Sequence, residues 1–546
     1  MKTIKSLLAL TAVSMVVSGC NDLSQEPFGS YVTQGQKEQI VEDNPDMAAA
    51  SVNALPQMVS VVFGLYPDSN HHGDFGWPSL MLILDSRGMD MPSDLLGYNW
   101  YTAALEMSDF GGTYFDNLFM WRTNYNLINS SNAVIGLIDP EVDNSELQYF
   151  RGQGLAYRAW CYSNLAQMYQ FTYVKNPQAP TVPLILDTNL EEAGENGCAR
   201  ATGEEIYTQI KADLTEAIAL LDKAQAAGVS RSSMATGSNV KTFVNQAVCY
   251  GLRARVNLIT QSYAQAAADA EMAIQLATKE GITPYSVAEA SVPAFYDIND
   301  HNFMWGYYQD PSGNGTALVG WGGQMVSWHA NYPGVGVYRR INASLYEQIP
   351  TNDVRKGWWL NGSGVAATTL PSQYREWMAN TTANKVTKLP PYCNTKFGAY
   401  SNTPGGNVWA EDTPLMRIEE MYLMLAEAQG ASDLSKGKQT LNNFVKTYRQ
   451  QNYNCTAGSL EEFLDQIWFQ RRIELWGEGF SYYDMMRFQK PLDRRGGGFD
   501  PATVYNLSPE NPVLLFEIIT DEAQNNPLIG NVSNGASIPE PVEDIK

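Results

Sequence analysis

The sequence predicts a mainly α-helical protein, a scaffold of paired helices interrupted by a large irregular insertion. Two observations carry this. Apolar residues recur at spacings of three and four in several long segments that open on helix-start signals, and one internal stretch, 285–413, shows neither feature. The stretch 285–413 is instead rich in Gly, Pro, Asn and Thr, as loops with short strands are.

The elements follow in chain order. Ser145 with Gln148 has the form of a capping box, and Leu155, Ala159, Tyr162, Ala166 and Tyr169 then recur at steps of four and three. Thr202 with Glu205 is a second such box, opening a helix that places Ile206, Ile210, Leu214, Ile218 and Leu221 on one face. Phe243, Ala247, Tyr250, Ala254 and Leu258 form a further stripe, followed by Tyr263, Ala267, Ala270 and Ile274. "ARVNLITQSYAQAAADAEMAI" resembles one tetratricopeptide repeat, in which small residues let two helices approach closely. Further helix pairs are expected at 113–170 and 414–490. Ser459 with Glu462 opens the last long helix, which runs towards Gly477 or Gly479.

The insertion 285–413 holds 20 aromatics in 129 residues, seven of the 13 tryptophans among them, whereas 200–284 holds four aromatics in 85. That contrast suggests a supporting scaffold beside a recognition surface. A second irregular, aromatic stretch lies at 67–112.

At the N-terminus, Lys2 and Lys5 precede about a dozen apolar residues, a secretory signal too short to span a bilayer permanently. It ends in Val17-Ser18-Gly19-Cys20, which resembles a bacterial lipobox. Residues 1–19 are therefore expected to be removed. Cys20 would then carry a diacylglycerol of palmitate type, residues 20–46 would form a tether, and residues 47–546 would be the working domain. The net charge of −22 becomes −24 once the two signal lysines are gone, which argues against nucleic acid as a partner. Few charges (17%) with many aromatics (11%) suit a neutral ligand. Cys161, Cys198, Cys249, Cys393 and Cys455 are spread apart without a C-x-x-C, so neither a disulfide framework nor a zinc site is implied.

No cofactor is expected, because the chain has no H-E-x-x-H, nucleophile elbow or P-loop. "DINDHN" at 297–302 begins like a calcium loop but lacks its later ligands. Glu474 and Glu478 are spaced for one helix face, and pairing with Arg471 and Arg472 explains them better than glycosidase chemistry. Sugar binding demands less, since pyranose rings stack on Trp and Tyr while amides and guanidinium groups hold the hydroxyls. "GYNWY" presents Tyr98, Asn99, Trp100 and Tyr101 beside Gly97, with Asp85, Arg87 and Asp90 nearby. In the insertion the comparable platforms are Tyr296, Trp305, Trp321 and Trp328.

Four landmarks occur in order: the lipobox followed by "NDLSQEP"; "GQGLAYRAWCYSNLAQMYQ"; "PLMRIEEMYLMLAEAQ"; and "QRRIELWGEGFSYYDMMRF" with "EIITDEAQNNP" after it. Together they resemble the SusD/RagB family of nutrient-binding outer-membrane lipoproteins. The resemblance implies a surface-exposed, lipid-anchored glycan-binding protein with four tetratricopeptide-like helix pairs wrapped by an irregular ligand-binding half. It also implies a partner, a SusC-type TonB-dependent transporter that receives the oligosaccharide. Two other readings compete: a lipid-anchored glycan-processing enzyme, and a structural transporter lid without affinity for free glycan.

Overall fold

The computed structural model describes residues 34–66, 71–313, 318–329, 332–380, 388–530 and 532–545; the expected signal segment and Cys20 lie outside them. The capped stripes are helices. Thr202 accepts the Glu205 amide while Glu205 bonds back to Thr202, as the capping box requires. The first box is displaced by one residue: Asn144, not Ser145, accepts the amides of Glu146 and Leu147. Asn and Ser serve equally well at that position, so spacing alone could not choose between them.

The scaffold comprises α1 (Phe115–Gly136), α2 (Ser145–Tyr169), α3 (Gly203–Ala226), α4 (Gln246–Ile259), α5 (Tyr263–Lys279), α6 (Ile418–Ser432), α7 (Leu434–Tyr448) and α8 (Leu460–Glu474). From α1 to α7 each helix packs on the next, including α5 on α6 across the long intervening insertion, and α8 closes against α6. The mainly α-helical class expected of the sequence is thus what the chain adopts.

Small residues make these crossings close. Ala266, Ala270, Ala273 and Ala277 line the buried face of α5. On the facing surface of α4, Arg253 pairs with Asp269 at 2.7 Å and Asn257 reaches the same carboxylate at 2.9 Å. Between α6 and α7, a Cβ on Gly437 would fall inside the backbone of Gly430, and one on Gly430 would fall on the Phe463 ring. Those two glycines are required by proximity.

Two stretches differ from expectation. The stretch 20–46, expected as a tether, holds a helix, Gln34–Asp43, whose Val41 is buried. Inside the irregular stretch 67–112, "WPSLMLILDSR" forms the helix Trp77–Arg87, buried on every side. A helix buried all round has no polar face and so shows no 3.6-residue period.

The insertion is loop with short helical turns, closed at its base where strand Phe303–Tyr307 pairs antiparallel with Thr413–Arg417. It is fastened to the scaffold by a buried ionic cluster. Glu474 sits between Arg449 (2.7 Å), Arg355 (3.3 Å) and Arg417 (3.4 Å). Glu478 receives Lys396 (2.6 Å) and Arg417 (2.8 Å), while Glu419 and Asp353 complete the charge balance at four cations and four carboxylates. The expected pairing with Arg471 and Arg472 does not form. Those arginines reach Asp484 and Asp90 instead, and α8 ends at Glu474 before Gly477 turns the chain at φ 77°, so Glu478 is on no shared helix face.

Candidate ligand-binding face

The two irregular regions meet. Segment 337–342 lies along segment 89–99: Arg340 N–H donates to the Pro92 carbonyl (3.2 Å) and Asn342 N–H to that of Asp90 (3.0 Å). The Ser93 hydroxyl donates to the Tyr338 carbonyl (2.8 Å), and Arg340 pairs with Asp94 (2.8 Å). Asn99 is the pivot of the turn that follows. Its amide donates to the Asp94 carbonyl (2.9 Å), and its Oδ1 accepts from Tyr101 N–H (3.2 Å) and the Arg339 guanidinium (3.3 Å). These bonds hold Tyr98 at the tip, 65% exposed, and Trp100 half-buried beside it.

Trp100 stands among aromatic rings. Its centroid lies 4.5 Å from that of His71 and 5.1 Å from that of His72. His71 stacks on Phe115 at 3.5 Å, and Tyr66 extends the group against Phe115 at 5.3 Å. Beneath them His72 Nδ1 meets the Tyr332 hydroxyl at 2.9 Å, which brings the insertion into the same cluster. Asp74 shapes the approach by accepting the amides of Leu65 (3.1 Å) and Tyr66 (2.8 Å).

The cluster is uncharged near neutral pH. Burial, with the neighbouring His72, pushes His71 down to about 4, and burial also lowers His72. The Tyr332 phenol is pushed up to about 12 by burial, against hydrogen bonds from Gln324 and Trp100. Flat neutral rings edged by polar N–H and O–H groups can bind a polyhydroxylated molecule that has an apolar face.

The sequence-derived candidates divide. Trp100 and Tyr98 are on this face, and Asn99 and Tyr101 lie under it: Tyr101 is buried with its hydroxyl against Ser79 at 3.0 Å. Arg87, expected as a polar partner for ligand, is fully buried, ion-paired with Asp109 and donating to the Val513 carbonyl at 2.6 Å. Nor are Asp85 and Asp90 ligand-facing. Asp85 is buried near Gly479, where burial raises its carboxyl to about 8, and Asp90 is held by Arg472 and Ser481.

Trp305, Trp321 and Trp328, expected as exposed platforms, are core struts. Trp305 donates to the Thr242 carbonyl (3.0 Å), Trp328 donates to that of Phe397 (2.8 Å), and Trp321 packs edge-on against Phe397 at 4.7 Å. Irregular backbone fills space poorly, so large rings close the gaps. Tyr296 is half-buried with its ring against Gly398. Sequence reasoning did not single out His71, His72, Phe115 and Tyr332 for this face. The adjacent histidines were the one available signal. The Ca-like stretch 297–302 turns inward on itself, with Asp297 accepting from Asn299 (2.9 Å) and His301 facing Glu289 (2.9 Å).

A family model described as "Starch-binding associating with outer membrane" matches residues 85–258, and one described as "SusD family" matches residues 296–525. A SusD-like carbohydrate-binding protein from Bacteroides vulgatus superposes with TM-score 0.68 at 20% identity, covering 92% of this chain and 98% of its own. A SusD superfamily protein from Bacteroides thetaiotaomicron gives 0.66 at 21% identity, covering 90% and 99%. A laminarin-binding SusD-like protein gives 0.57 at 17% identity, covering 90% and 99%. A search of curated protein sequences found no match.

Proposed function

The chain belongs to the SusD/RagB family of carbohydrate-binding, outer-membrane-associated proteins, and from that premise we propose that it is a cell-surface lipoprotein that captures an oligosaccharide and delivers it to a SusC-type TonB-dependent transporter. The observation that carries the reading is the neutral aromatic cluster around Trp100, part-exposed where the two irregular regions meet. A sugar stacks on Trp100 and Tyr98, the imidazole edges of His71 and His72 meet its hydroxyls, and Asn99, Tyr101 and Arg339 keep the turn in place. Tyr296 is the remaining candidate contact from the insertion. The laminarin-binding relative supports a glycan as the ligand class.

Anchoring follows from the lipobox: Cys20 carries the lipid, and residues from about 47 onward form the binding domain. No helix among the described residues is long and apolar enough to cross a membrane. The protein acts by binding, without turnover. Glu474 and Glu478, the pair the sequence offers for such chemistry, are buried among cations and stabilise the fold.

Isothermal titration against a glycan panel tests the site. A cognate oligosaccharide should bind, and Trp100→Ala should weaken it roughly 5- to 150-fold, the effect of about 1–3 kcal/mol lost with a stacking ring. Unchanged affinity in that variant places the ligand elsewhere. Release of reducing ends by the wild type would favour the enzyme reading. Cys20→Ser should move the protein to the soluble fraction.

A further inference from the structure

Away from the aromatic face, four scaffold helices converge on a second cleft. Tyr149 near the start of α2, Leu221 and Gln225 near the end of α3, Asn245 and Gln246 at the start of α4, and Glu280 just past α5 line it. Segment 229–241 and residues 299–301 form its outer wall. Its volume of about 530 Å³ falls within the range of ligand-binding clefts.

The wall is largely polar, and Tyr149, Arg231, Asn245 and Gln246 are its buried polar members. Arg231 is 4% exposed and donates to the Met304 carbonyl (2.8 Å) and Glu280 (2.5 Å). Asn245 caps α4 through the Val248 amide and donates to the other oxygen of Glu280 at 2.7 Å. Glu280 is therefore occupied twice. Lys241 Nζ donates to the Asp300 carbonyl (2.7 Å) and forms no ion pair among the described residues. Asp300 and Asp297, which with Glu280 act on the Lys241 ammonium through space, hydrogen-bond to the Tyr285 hydroxyl and to Asn299. Burial and the Arg231 charge push Lys241 down to about 8. The second sign of an unfilled site is Tyr149, 2% exposed, whose hydroxyl has no hydrogen-bond partner. A buried hydroxyl left unpaired costs on the order of 1–3 kcal/mol, so an acceptor reaching this lining residue would relieve that cost.

We propose that this cleft is a second binding site, for a small hydroxylated carboxylate of the sugar-acid class. The carboxylate accepts from the Lys241 ammonium and the Tyr149 hydroxyl, and the ligand's hydroxyls meet Gln225, Ser230 and Ser232 at the rim. The overall charge of −22 repels anions at long range, so specificity must come from these local donors. Hydrogen bonds with an ionised partner are about twice as strong as neutral ones, and pairing the ammonium with a carboxylate makes both partners charged.

The test is titration of the intact protein with D-glucuronate and with its methyl ester, which keeps the ring and removes the charge. Glucuronate should bind, with the ester about tenfold weaker or worse. Lys241→Met, which keeps the aliphatic stem, should cost glucuronate about tenfold, and Tyr149→Phe, which removes one oxygen and no packing, about three- to tenfold. Trp100→Ala should leave glucuronate binding unchanged, so failure here is distinct from failure at the aromatic face. No glucuronate binding up to about 20 mM, equal binding of acid and ester, or wild-type affinity in both folded variants overturns the proposal.

Discussion

The paired helices and the irregular insertion both bury a core, but they use different side chains. On α5 the buried face is alanine, and at the crossing of α6 and α7 it is glycine, because regular cylinders approach closely only when the residues between them are small. Within 285–413, six of the seven tryptophans are buried and Trp409 is half-buried. There large rings span gaps that irregular backbone leaves, and the indole N–H groups of Trp305, Trp328 and Trp358 tie segments together. Polar anchoring differs likewise. The α4–α5 pair shares a single carboxylate at Asp269, whereas the insertion is fastened by a cluster of four cations and four carboxylates. An aromatic-rich segment is therefore not by that fact a recognition surface. The open rings stand at its border with the other irregular region.

The strongest way to break this comparison is to remove a charge from each half. Glu474→Gln leaves Arg449, Arg355 and Arg417 under-compensated in a dry site and should cost about 3–5 kcal/mol. Asp269→Asn, whose partner Arg253 is part-exposed, should cost only about 1–2 kcal/mol. Chemical denaturation measures both, and equal losses would mean that the insertion has no special dependence on its ionic anchor.

Trp328→Ala should cost about 3–5 kcal/mol, since it empties a core site and frees the Phe397 carbonyl. Trp100→Ala should cost under about 1 kcal/mol of stability while weakening glycan binding. If the two losses of stability are alike, the division into strut and platform is wrong. Tyr98→Ala sharpens it further, with affinity reduced about two- to fivefold and the melting temperature unmoved.

The smallest effect is that of acid. His71 titrates at about 4 in the folded chain against an ordinary 6.5, so the unfolded chain takes up its proton first. Its contribution to stability is complete above pH 6.5 and is lost as pH falls towards 4. His71→Phe should remove that part of the acid sensitivity in thermal melts between pH 7 and 4. An unaltered profile would show that His71 is not held neutral by the cluster.

Much of the scaffold was legible because its signals are local. A threonine three residues before a glutamate, followed by a stripe of isoleucines and leucines, specifies where α3 starts and which face is buried. The helix Trp77–Arg87 was illegible for the opposite reason, since its eleven residues are buried on all sides and no period remains. The site was half legible. "GYNWY" marked the turn that carries Trp100, yet the group it joins is completed by His71 and His72, by Phe115 behind His71 and by Tyr332 behind His72, which no sequence window unites.

By itself the sequence determined the helical class, the capped scaffold, the motifs that mark the family and the two irregular stretches, all of which rest on neighbours within a few positions. Only the tertiary structure decided that Arg87 faces Asp109, that Glu474 faces three arginines, and that Trp328 is covered while Trp100 is not. Exposure and charge pairing are set by whatever the chain brings alongside from hundreds of residues away. Identical residue types in similar local sequence can therefore end as core or as binding surface.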